Sequence, residues 1–339
     1  QVATTGDGLA FEGLRGWAFG TRVSGAARLV GGGRGRIEGR LAMERLALAD
    51  VAALALGFPG DAPAKTPWSD RAFAPALGAE APDVAMAIEA ERLDTGLAGE
   101  TGPARATLTL TPGAARLDAL EAPLAGGRLA ASFGWRRDGI DASFSGRFGV
   151  TGAAFDGAAA SGTVDASLDA AASGRNVAAL VAALGGEGSA RVSGLTLKRA
   201  APGALAAAVK GVEAQTISLE LGSLERALAE RLDAGERRVP APVETTLTLA
   251  TGVVRAAPVA LDAPQERLAA SAALDLRSMT LEIREAAAAK ASPTHWAGTP
   301  PAFEAIWRGP VAGAMERAIE AGALLNGLSA RSLALELER

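Results

Sequence analysis

The sequence predicts a mainly β protein: a meander of antiparallel strands interrupted by a few short helices. Two observations carry this. Runs of strictly alternating apolar and polar residues recur along most of the chain, as in Val84-Ala-Met86-Ala-Ile88, Leu129-Ala-Ala-Ser-Phe133 and Thr163-Val164-Asp165-Ala166-Ser167-Leu168. That period of two belongs to strands with one buried and one wet face. Glycine and proline punctuate these runs at roughly 10–20-residue spacing, the pattern of a β-meander.

Composition sets the outer bounds. The 339 residues are 49% hydrophobic but only 4% aromatic, with no Tyr, so the apolar content is mostly Ala, Val and Leu. Only four basic residues are lysines (Lys65, Lys198, Lys210 and Lys290), a bias that reads as GC-rich coding rather than function. A net charge of −4 gives nucleic acid no electrostatic footprint. The basic clusters Arg34, Arg36, Arg40 and Arg136, Arg137 lie beside turns, where solvated charge is expected. With no cysteine, disulfides, zinc–thiolate sites and thiol catalysis are excluded. No apolar run reaches the length of a membrane span. The chain opens at Gln1, without a signal peptide, and reads as a piece of a longer protein.

In chain order, strands are expected at Thr21–Leu29 and Gly35–Leu41, joined through Gly31-Gly32-Gly33. That triple glycine precedes a strand, not a helix N-terminus, and so reads as a hairpin rather than a phosphate cradle. An amphipathic piece spans Leu46–Leu56, and residues 57–67 form a Pro/Gly/Ala-rich loop. Strands follow at 84–91, 106–111, 115–119, 129–135, 140–148 and 163–170. Ser173-Gly-Arg-Asn176 leads into a short helix, Val177–Leu184, whose Val177, Leu180, Val181 and Leu184 form one stripe. A glycine break and a return strand at 190–197 complete this stretch. Beyond it, helices are expected at 204–210 and at 223–232, the second capped by Ser223. Strands are expected at 216–221, 243–249, 252–256, 268–276 and 279–283. The Pro- and Trp-containing tail from Ser292 ends in a helix from about Ala321, with Leu324, Leu325, Leu328 and Leu335 on one side and Glu316, Arg331 and Glu338 turned to solvent.

Gly20 and Gly127, like Gly39 and Gly146, stand 107 residues apart (127 − 20 and 146 − 39), which suggests two similar hairpin units.

Several features stand in the order found in the C-terminal region of the AsmA family, bacterial relatives of the bridge-like lipid-transfer proteins. They are Trp68-Ser69-Asp70 with Phe73; Gly126-Gly127-Arg-Leu129; Ala172-Ser-Gly174-Arg175-Asn176; Leu184-Gly-Gly-Glu-Gly188; Val192-Ser-Gly194-Leu195; and Ala273-Leu274-Asp275-Leu276. Trp296-Ala-Gly-Thr-Pro-Pro301, Trp307-Arg-Gly-Pro310 and Asn326-Gly-Leu328 continue the order into the tail. The chain resembles that family over most of its length, without the membrane anchor with which such proteins begin. The resemblance implies residues 1–58 as a trailing β unit of a preceding repeat, 59–290 as the β-groove region, and 291–339 as the tail. It implies a fold that is a long curved antiparallel sheet forming an open groove with an apolar inner face, in an inner-membrane-anchored periplasmic protein whose groove binds or conducts phospholipid between inner and outer membrane. The alternative is a scaffold acting on outer-membrane protein biogenesis through sheet-edge contacts.

Residues of the apolar parity are the expected acyl-chain face: Met86, Ile88, Leu108, Leu110, Leu117, Leu129, Phe133, Trp135, Ile140, Phe144, Val164 and Leu168. Phospholipid acyl chains, a membrane and envelope proteins are the expected partners. Enzymatic readings are weak. The single histidine, His295, lacks a nucleophile-elbow partner. The carboxylate pairs Asp165/Asp169 and Glu89/Glu91 read as solvated strand faces. No catalytic residue, metal or cofactor is expected.

Overall fold

The computed structural model describes residues 2–5, 8–31, 34–57, 67–74, 81–96, 100–262, 266–290, 301–311 and 313–337. Among these are nineteen strands and five short helices, so the chain is mainly β, as its alternation requires. The strands belong to one hydrogen-bonded sheet. The chain forms two compact units. Unit 1 comprises Gln1–Ala153, Asp165–Ser189 and Thr248–Val253, and unit 2 the rest.

Unit 1 begins with β1 (Val2–Thr5), β2 (Gly8–Ala18), β3 (Thr21–Val30) and β4 (Arg36–Ala47), followed by α1 (Leu48–Leu56). It continues with β5 (Asp83–Asp94), β6 (Glu100–Thr101), β7 (Ala104–Thr111), β8 (Ala114–Leu124), β9 (Gly127–Asp138) and β10 (Asp141–Asp156). These neighbours pair antiparallel, with one exception. β4 and β5 run parallel, Arg36 opposite Asp83 through Ala47 opposite Asp94. Parallel neighbours cannot be joined by a tight turn, so the chain crosses over between them. α1 is part of that crossover and packs on β4, β7, β8 and β9.

Alternation puts one residue in two on the face that α1 covers. A bulge in β8 extends the rule. The register shifts between Leu117 and Leu120, and Ala119 takes φ 49°. Leu117 and Leu120 are therefore both buried although three residues apart, because the extra residue restores the pleat on the same side.

The 107-residue offset fails on the outgoing strands. The turn before β3 is Phe19-Gly20 and the one before β9 is Ala125-Gly126, all four residues at positive φ, which sets these turns 106 apart. Val23 packs toward the core, but the residue 107 later, Ala130, is exposed. Ile37 and Leu41 do match Phe144 and Phe148 in facing. The similarity is one of hairpin plan, not of continuous register. Gly32 and Gly33 of the triple glycine lie outside the described residues.

β11 (Ala160–Gly174), α2 (Val177–Ala182) and β12 (Gly185–Leu197) follow. Asn176 caps α2, its Oδ1 accepting from the Ala179 N–H at 2.7 Å. The expected glycine break is instead the start of β12. A Cβ on Gly186 would lie 1.9 Å from the Asp169 carbonyl oxygen, and one on Gly188 2.0 Å from that of Ser167. These glycines permit close strand approach rather than ending a strand.

Unit 2 contains α3 (Ala204–Glu213), α4 (Leu221–Asp233), β13 (Arg237–Arg238), β14 (Val243–Ala250), β15 (Val253–Asp262) and β16 (Glu266–Asp275), β14 and β15 being shared with unit 1. β17 (Thr280–Ala289), β18 (Ala302–Pro310), β19 (Glu316–Glu320) and α5 (Gly322–Leu337) complete it. β16 to β19 form an antiparallel series. The strand expected at 216–221 does not form. The Thr216 and Ile217 N–H groups both donate to the Gly211 carbonyl, at 2.9 and 3.1 Å, closing the end of α3 and taking these two donors out of any ladder. α4 starts earlier than Ser223, with Glu220 at its N-cap position and no side-chain cap. The tail supplies two strands that its Pro and Trp content concealed. In β18, Phe303, Ala305 and Trp307 are buried, while Pro310 stands at the strand end, where a missing donor costs little. α5 buries Leu324 and Leu328, with Leu325 half-buried. Glu316 belongs to β19 rather than to the helix, and Arg331 pairs with Glu213 at 2.9 Å instead of standing free in solvent. The side chains of Leu335 and Glu338 lie outside the described residues.

Candidate functional site

Nine of the twelve expected face residues share the core of unit 1. Met86, Ile88, Leu108, Leu117 and Phe133 are buried in it, and Leu110, Leu129, Trp135 and Phe144 are half-buried against it. Val164 and Leu168 occupy one face of β11, both half-buried. Ile140 does not belong to the face. Gly139 and Ile140 form the two-residue turn between β9 and β10, and Ile140 is 63% exposed. The apolar parity of a strand ends where the turn begins, and that reverses its side chain.

The face has members that the sequence reading passed over. Val23, Ala27, Ile37 and Leu41 extend it across β3 and β4, and Phe148 adds an aromatic ring on β10. Their strands were legible, and the same alternation would have found them. Phe148 stacks on Phe133 with centroids 5.5 Å apart, and Trp135 meets Phe133 edge-on at 5.2 Å. Phe144 lies 6.0 Å from Trp135 and 6.2 Å from Phe148. The four rings make one continuous patch on β9 and β10.

Part of the face is covered. Val51, Ala55 and Leu56 of α1, Phe73 of the crossover and Leu180 of α2 complete the buried core. Two polar devices pin this cover. The Arg137 guanidinium donates to the Leu56 carbonyl at 2.6 Å, to the Phe73 carbonyl at 3.3 Å and to that of Ala74. Arg137 is therefore no solvated turn charge: it ties the end of α1 to residues 73–74 of the crossover. At the other device, Asn176 Nδ2 donates to the Asp70 carbonyl at 2.8 Å and the Ala178 N–H to that of Ser69 at 3.0 Å. The Trp68-Ser69-Asp70 segment thus docks on the start of α2.

In unit 2 the corresponding apolar positions lie beneath helices. Leu224, Leu228 and Leu232 of α4, with Leu324 and Leu328 of α5, are buried together with Leu268, Ala287 and Phe303 of the strands.

The carboxylate pairs sit on the polar face. Asp169 accepts from Arg147 Nε at 2.7 Å, and Asp165 from the Gly152 N–H at 2.7 Å. Glu89 and Glu91 are exposed. Among the described residues no group of three or more His, Cys, Asp or Glu side chains is placed to hold a metal ion, and no helix is long and apolar enough to cross a membrane. His295 and Trp296 lie outside the described residues.

Comparison with protein-family models, with curated proteins and with solved structures finds no match to this chain.

Proposed function

We propose that the apolar face of unit 1 binds the acyl chains of a phospholipid, and that the chain is a non-enzymatic envelope protein. One observation supports this most: beside the fully buried core lies a band of half-buried apolar side chains, including Ile37, Leu41, Leu110, Leu129, Trp135, Phe144 and Phe148. Side chains of this kind that keep contact with solvent gain about 25 cal/mol for each Å² that a ligand covers. An acyl chain leaving a bilayer loses about 0.8 kcal/mol per methylene, and such a band replaces part of that loss. The resemblance to the AsmA family adds the direction of the reading: lipid carried between inner and outer membrane by an inner-membrane-anchored periplasmic protein.

The buried and half-buried residues of the face answer differently to charge, and this gives the test. Phe133, 3% exposed, is structural, and Phe133→Asp unfolds unit 1 by burying an unpaired carboxylate. Phe144→Asp and Phe148→Asp leave the fold standing and abolish lipid carriage. Each variant is purified without added lipid, its melting recorded, and co-purifying phospholipid quantified by mass spectrometry. Folded variants stripped of lipid support the reading. Wild-type protein that carries no phospholipid, either as purified or after incubation with vesicles, sinks it.

A further inference from the structure

Unit 2 buries a group of charges that the lipid reading does not use. Glu266 at the start of β16 and Glu285 in β17 are each 4% exposed. Arg237 of β13 donates from Nη2 to Glu266 Oε2 at 2.9 Å, and from Nε to the Ala200 carbonyl at 3.4 Å. That bond leaves Glu266 Oε1 and Glu285 Oε1 buried and without a partner. Both carboxyls line a void of about 10 Å³, whose other walls include Ala200, Ala201, Ala204 and Leu232. The void therefore lies in the seam between the sheet and the start of α3 and end of α4, and it has room for about one water molecule.

We propose that Glu285 is a proton-operated latch on this seam: as the neutral acid it lets α3 and the end of α4 close on the sheet, and as the carboxylate it loosens them. The groups facing it decide the direction. From β16 comes Glu266, a like charge already paired with Arg237. From β13 comes Arg237, committed to Glu266. From β19 comes Arg317, which is committed to Asp233 of α4 at 2.9 Å and to the face of Trp307 at 5.4 Å. The walls on the α3 and α4 side are Ala200, Ala201, Ala204 and Leu232, which offer no side-chain donor to a new negative charge. Burial accordingly raises Glu285 from the ordinary value of 4.5 to about 7, against the opposing pull of Arg237 and Arg317.

The sign follows from linkage. A carboxyl whose folded value is raised contributes its full stability below 4.5 and loses it as pH climbs through about 7. Between about pH 6 and about pH 8.5 these two values give a roughly tenfold rise in the opening constant. Hydrogen exchange of the whole chain, corrected for intrinsic rates, reads this by peptide. In the wild type, protection over α3 and α4 falls roughly tenfold while that over α1 holds. In Glu285→Gln, and in the apolar replacement Glu285→Met, protection over α3 and α4 is the same at both pH values. Equal protection of the wild type at the two pH values overturns the latch, and this arm needs no variant to fold. So does an undiminished pH response in either folded variant. The outcome is independent of whether unit 1 carries lipid.

Discussion

Arg137→Met tests how the cover of unit 1 is held. Methionine keeps the aliphatic stem and removes every donor. The guanidinium loses the Leu56 carbonyl at 2.6 Å, the Phe73 carbonyl at 3.3 Å and the Ala74 carbonyl, while its bond from Nε to the Gly139 carbonyl at 2.9 Å only braces its own turn. A hydrogen bond to a charged group is worth about 1.5–3 kcal/mol. The site is half-buried, so the freed carbonyls regain water and the lower end applies. Two well-made bonds to the crossover then give a loss of about 3 kcal/mol. Urea unfolding measures the loss, and hydrogen exchange localises it to α1 and residues 67–74, because no other strand–strand contact is touched. A loss under about 0.5 kcal/mol, with α1 as protected as before, would refute the clamp and return Arg137 to the status of a surface charge.

Two further outcomes follow from packing. Gly188→Ala sets a Cβ 2.0 Å from the Ser167 carbonyl oxygen, and the strands must part to admit it. The expected cost is about 2–4 kcal/mol, read as a drop in melting temperature, with Ser189→Ala as a mild control. Ending the chain after Glu320 removes Leu324 and Leu328, which are 0% and 4% exposed. At about 2–3 kcal/mol for each buried leucine, unit 2 loses about 5 kcal/mol. Unchanged melting would mean that α5 contributes nothing to unit 2.

Most of the strands were legible because alternation is imposed by the pleat itself, and Leu129 to Trp135 or Val84 to Ala90 cannot bury one face in any other way. The four-residue spacing of Leu224, Leu228 and Leu232 disclosed α4 for the corresponding reason. What escaped reading depends on partners remote in sequence. Gly186 and Gly188 look like a break until the carbonyls of Asp169 and Ser167 are seen against them. Arg137 looks like a turn charge until the crossover brings Leu56, Phe73 and Ala74 to it. β18 was hidden because prolines bracket it and because Ile306, buried as well, interrupts the alternation of Phe303, Ala305 and Trp307. The apolar face was legible as a parity, apart from Ile140, where a turn interrupts the parity. Its cover by α1, and that of the unit 2 strands by α3 and α4, were not, because periodicity reports that a face is buried but not what buries it; the leucine side of α5 did announce that helix's packing on the sheet. The seam of Glu266, Glu285 and Arg237 gave no local signal: each residue sits in its own strand among ordinary charged neighbours.

The claim that the half-buried band meets acyl chains is tested most directly at Trp135. It is one of five tryptophans and lies among the rings of β9 and β10. The fluorescence of wild type and Trp135→Phe is recorded with phospholipid carrying bromine on its acyl chains, and again with the unbrominated lipid. Bromine quenches only on close approach, so the account predicts a quenched component in the wild type that is missing from Trp135→Phe. Identical quenching in the two proteins, or none in either, would contradict it.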